Sequence, residues 1–281
     1  MREEIRIIPV GEVELFYQDV GPKDAPVIVT LPDRPGGSSH YLREFLSEEL
    51  SDYRVIYLDP RGFGHSPPLP EDPRLFTIDA MVEDLEHLRH DLGLGPIIPF
   101  GQGFGALIAL EYARRFPETA RGVVLVGPWV HYPWLLKRLW QAEGEGEFPE
   151  DPDEAAEILL KRKPLAELLQ KLAFKNARSR LHYEWVEDGS GLVLDDLVLR
   201  MLAKNGLWRF DYTPYLLELE HAPFVIVGDA DGTSYPEQAE AVADLAGGEL
   251  LVLKGAGHYP WLDDPEGFAR ALYAALDAVA G

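Results

Sequence analysis

The amino-acid sequence predicts an α/β protein with a mostly parallel, doubly wound sheet and a helical insertion. Three observations indicate this fold class. Short apolar runs, typical of strands that are buried on both faces, alternate with segments of helical periodicity over most of the chain. The alternation stops after position 128 and resumes at position 222. Unusual loop residues follow several of the runs, at the strand ends where such sheets bind ligands.

The first half of the chain is predicted to hold an edge hairpin followed by alternating strands and helices. Two strand-like segments separated by Gly11 and Glu12 indicate the hairpin. Thr77 is expected to cap a helix that stops at Gly93. The predicted strands span 5–10, 13–20, 25–31 and 53–58, and the predicted helices span 40–50 and 78–92.

The stretch from Pro96 to Ala106 predicts a short buried strand, a sharp glycine-dense turn and the start of a helix that ends near Phe116. Later strands are predicted at 122–127, 224–228 and 249–253, and later helices at 236–245 and 265–280, the last one capped by Asp263 or Asp264. Positions 129–221 are predicted to form a helical cap, with a loop at 143–147, inserted into a core of residues 1–128 and 222–281.

Composition and charge exclude several functions. The formal charge of -22 over 281 residues opposes binding to nucleic acid or to an anionic membrane. We find no apolar run of membrane-spanning length and no signal peptide, so we expect a soluble cytoplasmic protein, monomeric or homodimeric. The absence of cysteine excludes disulfides and thiolate chemistry. Few Asn, Gln and Met residues beside many charged ones suggest a thermophilic source.

The central turn has the frame of a nucleophile elbow. In the G-x-S-x-G elbow a serine sits at the tip of a strained strand-to-helix turn, where its hydroxyl is exposed. Here the outer positions are Gly101 and Gly105, but the tip is Gly103. The elbow is therefore predicted without its nucleophile.

Two loops near the end of the chain carry an acid and a histidine. Asp231 follows one predicted strand, and His258 follows the next. A carboxylate that pairs with an imidazole fixes its tautomer and stabilises its protonated form. We expect Asp231 and His258 to form such a pair, with Asp229 as the rival acid. The chain order of elbow, acid and histidine is that of the α/β-hydrolases.

With these motifs the chain resembles an α/β-hydrolase of the proline iminopeptidase-related group, over essentially its whole length. The group's HGGPGG loop corresponds to residues 32–37, where Asp33 and Arg34 replace two glycines. Its GxxD and histidine loops match at Asp231 and His258. Its DxRGxGxS segment is matched by Asp59, Arg61, Gly62, Gly64 and Ser66.

The resemblance implies an α/β-hydrolase fold with a helical cap, acting without cofactor or metal on small molecules or short peptides. The implied catalytic positions are Gly103, Asp231 and His258. Arg34 and Phe104 are the candidates for the oxyanion hole. Further candidates for the pocket are Asp33, Gln102 and Trp185.

Three functions remain open on these residues. Without a serine the protein is expected to have lost serine-type hydrolysis and to bind a small molecule. It is an active aminopeptidase or esterase if Gly103 replaces a native serine. A third reading is non-hydrolytic chemistry with the His258 and Asp231 pair as general base.

Several other residues have a structural reading beside the chemical one. Ser38 and Ser39 are either replacement nucleophiles or helix caps, and the second is favoured. Glu184 and Glu187 either bind a substrate amine, as cap glutamates of proline iminopeptidases do, or lie on a solvated helix face, which is favoured. Asp59, Arg61 and His65 are expected to play no direct chemical part.

Overall fold

The apolar runs form the strands of one sheet. The structure, a computed structural model, describes residues 3–144, 146–192 and 196–280. The strands of the sheet are β1 (Glu3–Val10), β2 (Val13–Val20), β3 (Val27–Leu31), β4 (Arg54–Asp59), β5 (Ile97–Gln102), β6 (Val123–Val126), β7 (Pro223–Gly228) and β8 (Glu249–Leu253).

The strand order is β1-β2-β4-β3-β5-β6-β7-β8. β1 and β2 form the predicted hairpin and are antiparallel to each other, β2 is antiparallel to β4, and the strands from β4 to β8 are mutually parallel. β3, β5, β6 and β7 are buried along their whole length. Parallel strands end at one edge of a sheet, so the loops after β3, β5, β7 and β8 meet there.

Helices cover both faces of the sheet and fill the insertion. Five α-helices of the described residues, α4 to α8, lie between β6 and β7, and we call them the cap helices. The helices are α1 (His40–Leu46), α2 (Ile78–Asp91), α3 (Phe104–Arg115), α4 (Tyr132–Ala142), α5 (Pro152–Arg162), α6 (Leu165–Ala173), α7 (Ala177–Gly189), α8 (Leu197–Lys204), α9 (Pro236–Ala246), α10 (Pro260–Asp263) and α11 (Pro265–Ala280).

The alternation of side chains along the buried strands produces two cores. Val29 of β3 packs in a core shared with α2, α3 and the cap helices. Its neighbour Ile28 points to the other face and packs in a second core with α1 and α11. None of the helices that the structure describes has an apolar stretch long enough to cross a bilayer.

Side-chain caps fix the start of several helices. Thr77 Oγ1 accepts the Ala80 N–H at 3.1 Å, as expected for the cap of α2. Of the two acids considered before α11, Asp264 accepts the Gly267 N–H at 2.9 Å and Asp263 points elsewhere. The predicted helix 40–50 was too long, since α1 ends at Leu46 and turns follow. Glu145, within the predicted loop 143–147, lies outside the described residues.

Candidate active site

The elbow backbone is formed although its nucleophile is absent. Gly103 joins β5 to α3 with φ 51° and ψ −113°. This conformation is strained for residues that have a Cβ atom, and glycine adopts it with little cost. The sequence therefore folds into the turn that, in a serine hydrolase, exposes the nucleophile.

The two outer glycines of the elbow are required by close packing of the backbone. A Cβ atom on Gly101 would lie 2.6 Å from the Ala106 Cα atom. A Cβ atom on Gly105 would lie 2.7 Å from the Pro32 carbonyl oxygen. Since real Cβ atoms do not approach other atoms so closely, both positions need glycine to let α3 pack against β3 and β5.

The predicted acid and histidine meet. The loop after β7 places Asp231, and the loop after β8 places His258, so that Asp231 Oδ2 lies 2.8 Å from His258 Nδ1. The other carboxylate oxygen of Asp231 accepts the backbone N–H groups of Thr233 and Ser234 at 2.8 and 3.0 Å. Asp229, the rival acid, is exposed and accepts the Gly255 N–H instead.

Burial and mutual attraction set the charges of this pair. Burial alone would lower the pKa of His258, but attraction to Asp231, their hydrogen bond and the more distant Asp33 outweigh it, so the pKa is raised. Burial opposes ionisation of Asp231, yet the imidazole and the loop donors hold its pKa below the ordinary value. The ring of His258 also stacks on Trp129, with centroids 5.5 Å apart. The structure thus favours an ion pair in a fixed orientation.

The loop after β3 fills the space in front of the elbow. The Phe104 N–H, predicted to serve an oxyanion, donates to the Asp33 main-chain carbonyl oxygen at 2.7 Å. A Cβ atom on Gly103 would lie 3.1 Å from the Asp33 carbonyl carbon and nearer still to its oxygen. In this structure Phe104 is therefore not a free oxyanion donor, because the chain's own carbonyl occupies that position.

A buried polar network holds Asp33 in place. Its N–H donates to the Tyr41 hydroxyl at 3.0 Å, and its carboxylate accepts the Tyr259 hydroxyl. Tyr41 in turn donates to Gln102 Oε1 at 2.8 Å, and the Gln102 amide donates to the His258 carbonyl at 2.9 Å. Gln102, predicted as a pocket residue, instead links Tyr41 to the backbone of the histidine loop. Neither tyrosine was foreseen, because their partners are distant in sequence.

Arg34 contacts the cap helices rather than the elbow. One guanidinium nitrogen, Nη2, donates to Glu187 Oε2 on α7 at 2.7 Å. The two side chains are only 16% and 15% exposed. The side chain of Arg34 therefore lies at the cap and not at the elbow, and a contribution of its main-chain N–H to an oxyanion hole stays a prediction.

Glu187 was expected to lie on a solvated helix face, and this expectation was wrong. Burial raises its pKa, attraction to Arg34 lowers it, and repulsion by Asp33 raises it again, so that the net pKa is raised. Glu184, one turn earlier on α7, accepts the Gln170 side-chain amide at 3.0 Å and has no ion pair with Arg34. The two cap glutamates therefore have different surroundings.

Trp185 does not belong with the other candidates. Its side chain is 73% exposed on α7. Tyr183, two residues earlier, is buried with its ring centroid 4.3 Å from that of Tyr259. The apolar character of a tryptophan suggested a pocket wall, but the turn of the helix places Tyr183 on the inner side.

Two small cavities adjoin the site. One has a volume of about 130 Å³ and the other about 210 Å³. Arg34 and Ala166 line both. The smaller cavity is also lined by Tyr183, Glu184, Glu187, Asp188 and Tyr259. Within the described residues no group of three or more His, Asp or Glu side chains is arranged to hold a metal ion.

The DxRGxGxS residues brace the surrounding loops. Asp59 accepts the Ser39 N–H at 2.6 Å and the Ser38 hydroxyl at 3.0 Å. The Arg61 guanidinium makes two bonds of 2.6 Å to Asp84. Ser38 and Ser39 are thus committed to Asp59, and their use as replacement nucleophiles has no support in this geometry.

Comparisons with known proteins agree with this architecture. Residues 26–265 match the family model described as alpha/beta hydrolase fold. The crystal structure of the proline iminopeptidase-related protein of Thermus thermophilus is 46% identical, with a TM-score of 0.94 and 99% coverage of both chains.

Curated relatives of the chain include proteins named proline iminopeptidase. Proline iminopeptidase PfmaB of Pestalotiopsis fici is 26% identical over 90% of this chain and 92% of its own. Proline iminopeptidase of Neisseria meningitidis serogroup B is 29% identical over 76% of this chain, and that match spans 63% of its own length.

Proposed function

This chain belongs to the α/β-hydrolase fold family, among its proline iminopeptidase-related proteins, and from that premise we propose that it binds a small molecule or short peptide without serine-type hydrolysis. That mechanism needs a nucleophile at the elbow and a free N–H for the oxyanion. Position 103 is glycine, and the Phe104 N–H is bonded to the Asp33 carbonyl. This occupied reaction centre is the observation that carries the proposal.

The size of the two losses decides how much activity is expected. Removing the serine of a catalytic triad lowers turnover about a million-fold. Removing one oxyanion donor costs roughly a further hundred-fold to thousand-fold when the rest of the machinery is intact. The two effects act on one step and do not add fully, but loss of the serine is sufficient by itself to make hydrolysis negligible.

Unsatisfied polar atoms support the retention of a binding site. Asp33 Oδ1, Glu187 Oε1 and His258 Nε2 are buried and have no hydrogen-bond partner among the described residues. Buried polar groups normally find partners in the protein or in ordered water, so these three atoms are free to bind polar groups of a ligand or water. The carboxylates of Glu184, Glu187 and Asp188 outnumber the Arg34 guanidinium around the smaller cavity, which favours a ligand with an amine or another cationic group.

Hydrolysis assays test the loss of serine chemistry. We expect the purified protein to hydrolyse aminoacyl arylamides and short acyl esters no faster than its His258→Ala variant. Robust hydrolysis that disappears in His258→Ala would contradict the proposal and favour an active hydrolase. Binding is tested separately by titration calorimetry with L-prolinamide and L-alaninamide, and failure of both to bind would contradict the proposed ligand class.

A second candidate function is favoured by the intact pair of Asp231 and His258. Once the site opens, the unpartnered Nε2 atom of His258 can take a proton from a substrate or from water above the raised pKa of this group, where the imidazole is neutral. This non-hydrolytic chemistry predicts a reaction rate that depends on a group titrating in the histidine range, and loss of the rate in His258→Gln.

A further inference from the structure

We propose that Arg34 and Glu187 form a latch that keeps the loop of residues 32–37 in the reaction centre as an intramolecular ligand. Breaking the latch would release the Asp33 carbonyl from the Phe104 N–H and open the site. The loop is thus both the occupant of the site and the device that controls access to it.

Besides the bonds of Asp33 to Tyr41 and Tyr259 and the backbone bonds at Pro32 and Gly36, two contacts on adjacent residues of the loop join the core to the cap helices. The Asp33 carbonyl accepts the Phe104 N–H at 2.7 Å on the core side, and the Arg34 guanidinium donates to Glu187 at 2.7 Å on the cap side. A β-turn follows directly, closed by the Gly37 N–H to the Arg34 carbonyl at 3.0 Å, with Gly36 at φ 79°. Because the contacts are on neighbouring residues of a short, turn-bounded segment, movement at one is expected to move the other.

The ion pair is placed where its loss would have a large effect. Arg34 and Glu187 are largely buried, and they connect elements 153 residues apart in the chain. Among the described residues Arg34 makes no second ion pair. If Glu187 loses its charge, the buried guanidinium loses its one ion-pair partner among the described residues and keeps only the weaker attraction of the Asp33 carboxylate, which disfavours the closed position. Movement of the loop would carry Arg34 toward solvent, where water can hydrate the guanidinium.

The cavities show what such a movement would open. The spaces of about 130 and 210 Å³ both end at Arg34 and Ala166. Neither alone reaches the volume of a typical ligand pocket, which begins at about 300 Å³. With the Arg34 side chain withdrawn the two would join beside Tyr259 and Glu187, at the lower end of that range. The closed structure therefore separates two halves of one pocket.

The latch regulates the site of the proposed function, and in that sense the inference rests on that function. Its test uses no ligand and no substrate, so the two can fail separately. The amide proton of Phe104 reports the closed state, because it is buried and bonded to the Asp33 carbonyl. Its rate of hydrogen exchange, measured by NMR on the full chain, therefore measures opening of the loop.

We expect Glu187→Gln and Arg34→Met each to accelerate exchange of the Phe104 amide by about tenfold or more, and the double variant to accelerate it no further, because both remove one interaction. Glu184→Gln, on the same helix but not paired with Arg34, is the matched control and should leave the rate unchanged. The Leu110 amide, deeper in α3, reports global unfolding and should not respond.

Three results would overturn the latch. The first is an unchanged exchange rate of the Phe104 amide in both single variants. The second is a double variant in which the two accelerations multiply. The third is an equal acceleration of exchange at the Leu110 amide. The last result would mean that the substitutions weaken the whole fold rather than release the loop.

Discussion

His258 Nδ1 lies 2.8 Å from Asp231 Oδ2, whereas His258 Nε2, on the far side of the ring, is buried and has no partner among the described residues. The two residues that the sequence predicts as acid and base are thus paired, and the residue at the tip of the elbow is Gly103. A main-chain carbonyl, from Asp33, lies in front of the elbow. The following predictions test this arrangement.

The ion pair of Asp231 and His258 should make stability depend on pH. Since the folded pKa of His258 is raised, its contribution is fully present below the unfolded imidazole pKa of about 6.5 and is lost as the pH rises through the folded value. Since the pKa of Asp231 is lowered, its contribution is lost as the pH falls below about 4. The free energy of unfolding in urea should therefore differ most between wild type and Asp231→Asn near pH 5.5, and this gap should be smaller near pH 9.

Asp229→Asn is the matched control, because Asp229 is exposed and has no contact with the imidazole. It should show no such change in the gap. A gap for Asp231→Asn that stays constant across the range would mean that the imidazole is not charged in the folded protein.

Gly103→Ser should destabilise the protein. The new side chain would collide with the Asp33 carbonyl, and residue 103 has a positive φ that is unfavourable for serine. Backbone strain of this kind costs about 1–3 kcal/mol, to which the collision adds. Equilibrium unfolding in urea measures the loss, and Gly103→Ala, which adds the same Cβ atom, should lose a similar amount. A stability equal to that of wild type would show that the loop yields easily.

Gly103→Ser alone should not create a hydrolase. The serine adds a hydroxyl at the tip, but the loop that carries the Asp33 carbonyl stays anchored by Tyr41, Tyr259 and Glu187 and is expected to remain in front of the elbow. Adding Asp33→Gly and Arg34→Gly restores the glycine loop of the resembled group and removes the latch. We expect hydrolysis of aminoacyl arylamides or short esters only in the triple variant, and its loss on adding His258→Ala. Activity in Gly103→Ser alone would mean that the carbonyl is readily displaced.

Tyr259→Phe should cost stability that Tyr132→Phe does not. The Tyr259 hydroxyl donates to the buried Asp33 carboxylate, whose other oxygen has no partner among the described residues. Its removal leaves a buried carboxylate without this donor, at a cost of about 2 kcal/mol. The Tyr132 hydroxyl is buried without a partner in the described part of the chain, so its loss should be neutral or favourable. Thermal unfolding of the two variants compares them directly.

The fold and the acid–histidine pair could be predicted from sequence because their signals are local or ordered. Buried strands appear as apolar runs, Thr77 caps its helix through a contact three residues away, and the loops follow the strands in a fixed order. Asp231 and His258 could be matched because each lies within five residues of the end of a strand. Such features can be predicted without knowledge of contacts between residues that are distant in the chain.

The occupied site could not be predicted in this way. Side-chain chemistry is visible in a sequence, but the group in front of Gly103 is a main-chain carbonyl that every residue possesses. The solvent exposure of Glu187 is predicted from the neighbouring residues of its helix alone, whereas its ion-pair partner Arg34 is 153 residues away in the chain. Trp185 is predicted to line the pocket because its ring is apolar, but its position on α7 exposes it to solvent.

The outer glycines of the elbow lead to a wider consequence. Gly101 and Gly105 are needed because backbone atoms lie within 2.7 Å of where their Cβ atoms would be. That requirement comes from the packing of a strand against a helix and does not depend on which residue occupies position 103. Any chain that makes this turn must therefore keep both glycines, whether or not it is an enzyme, so the two glycines identify the scaffold and not the reaction.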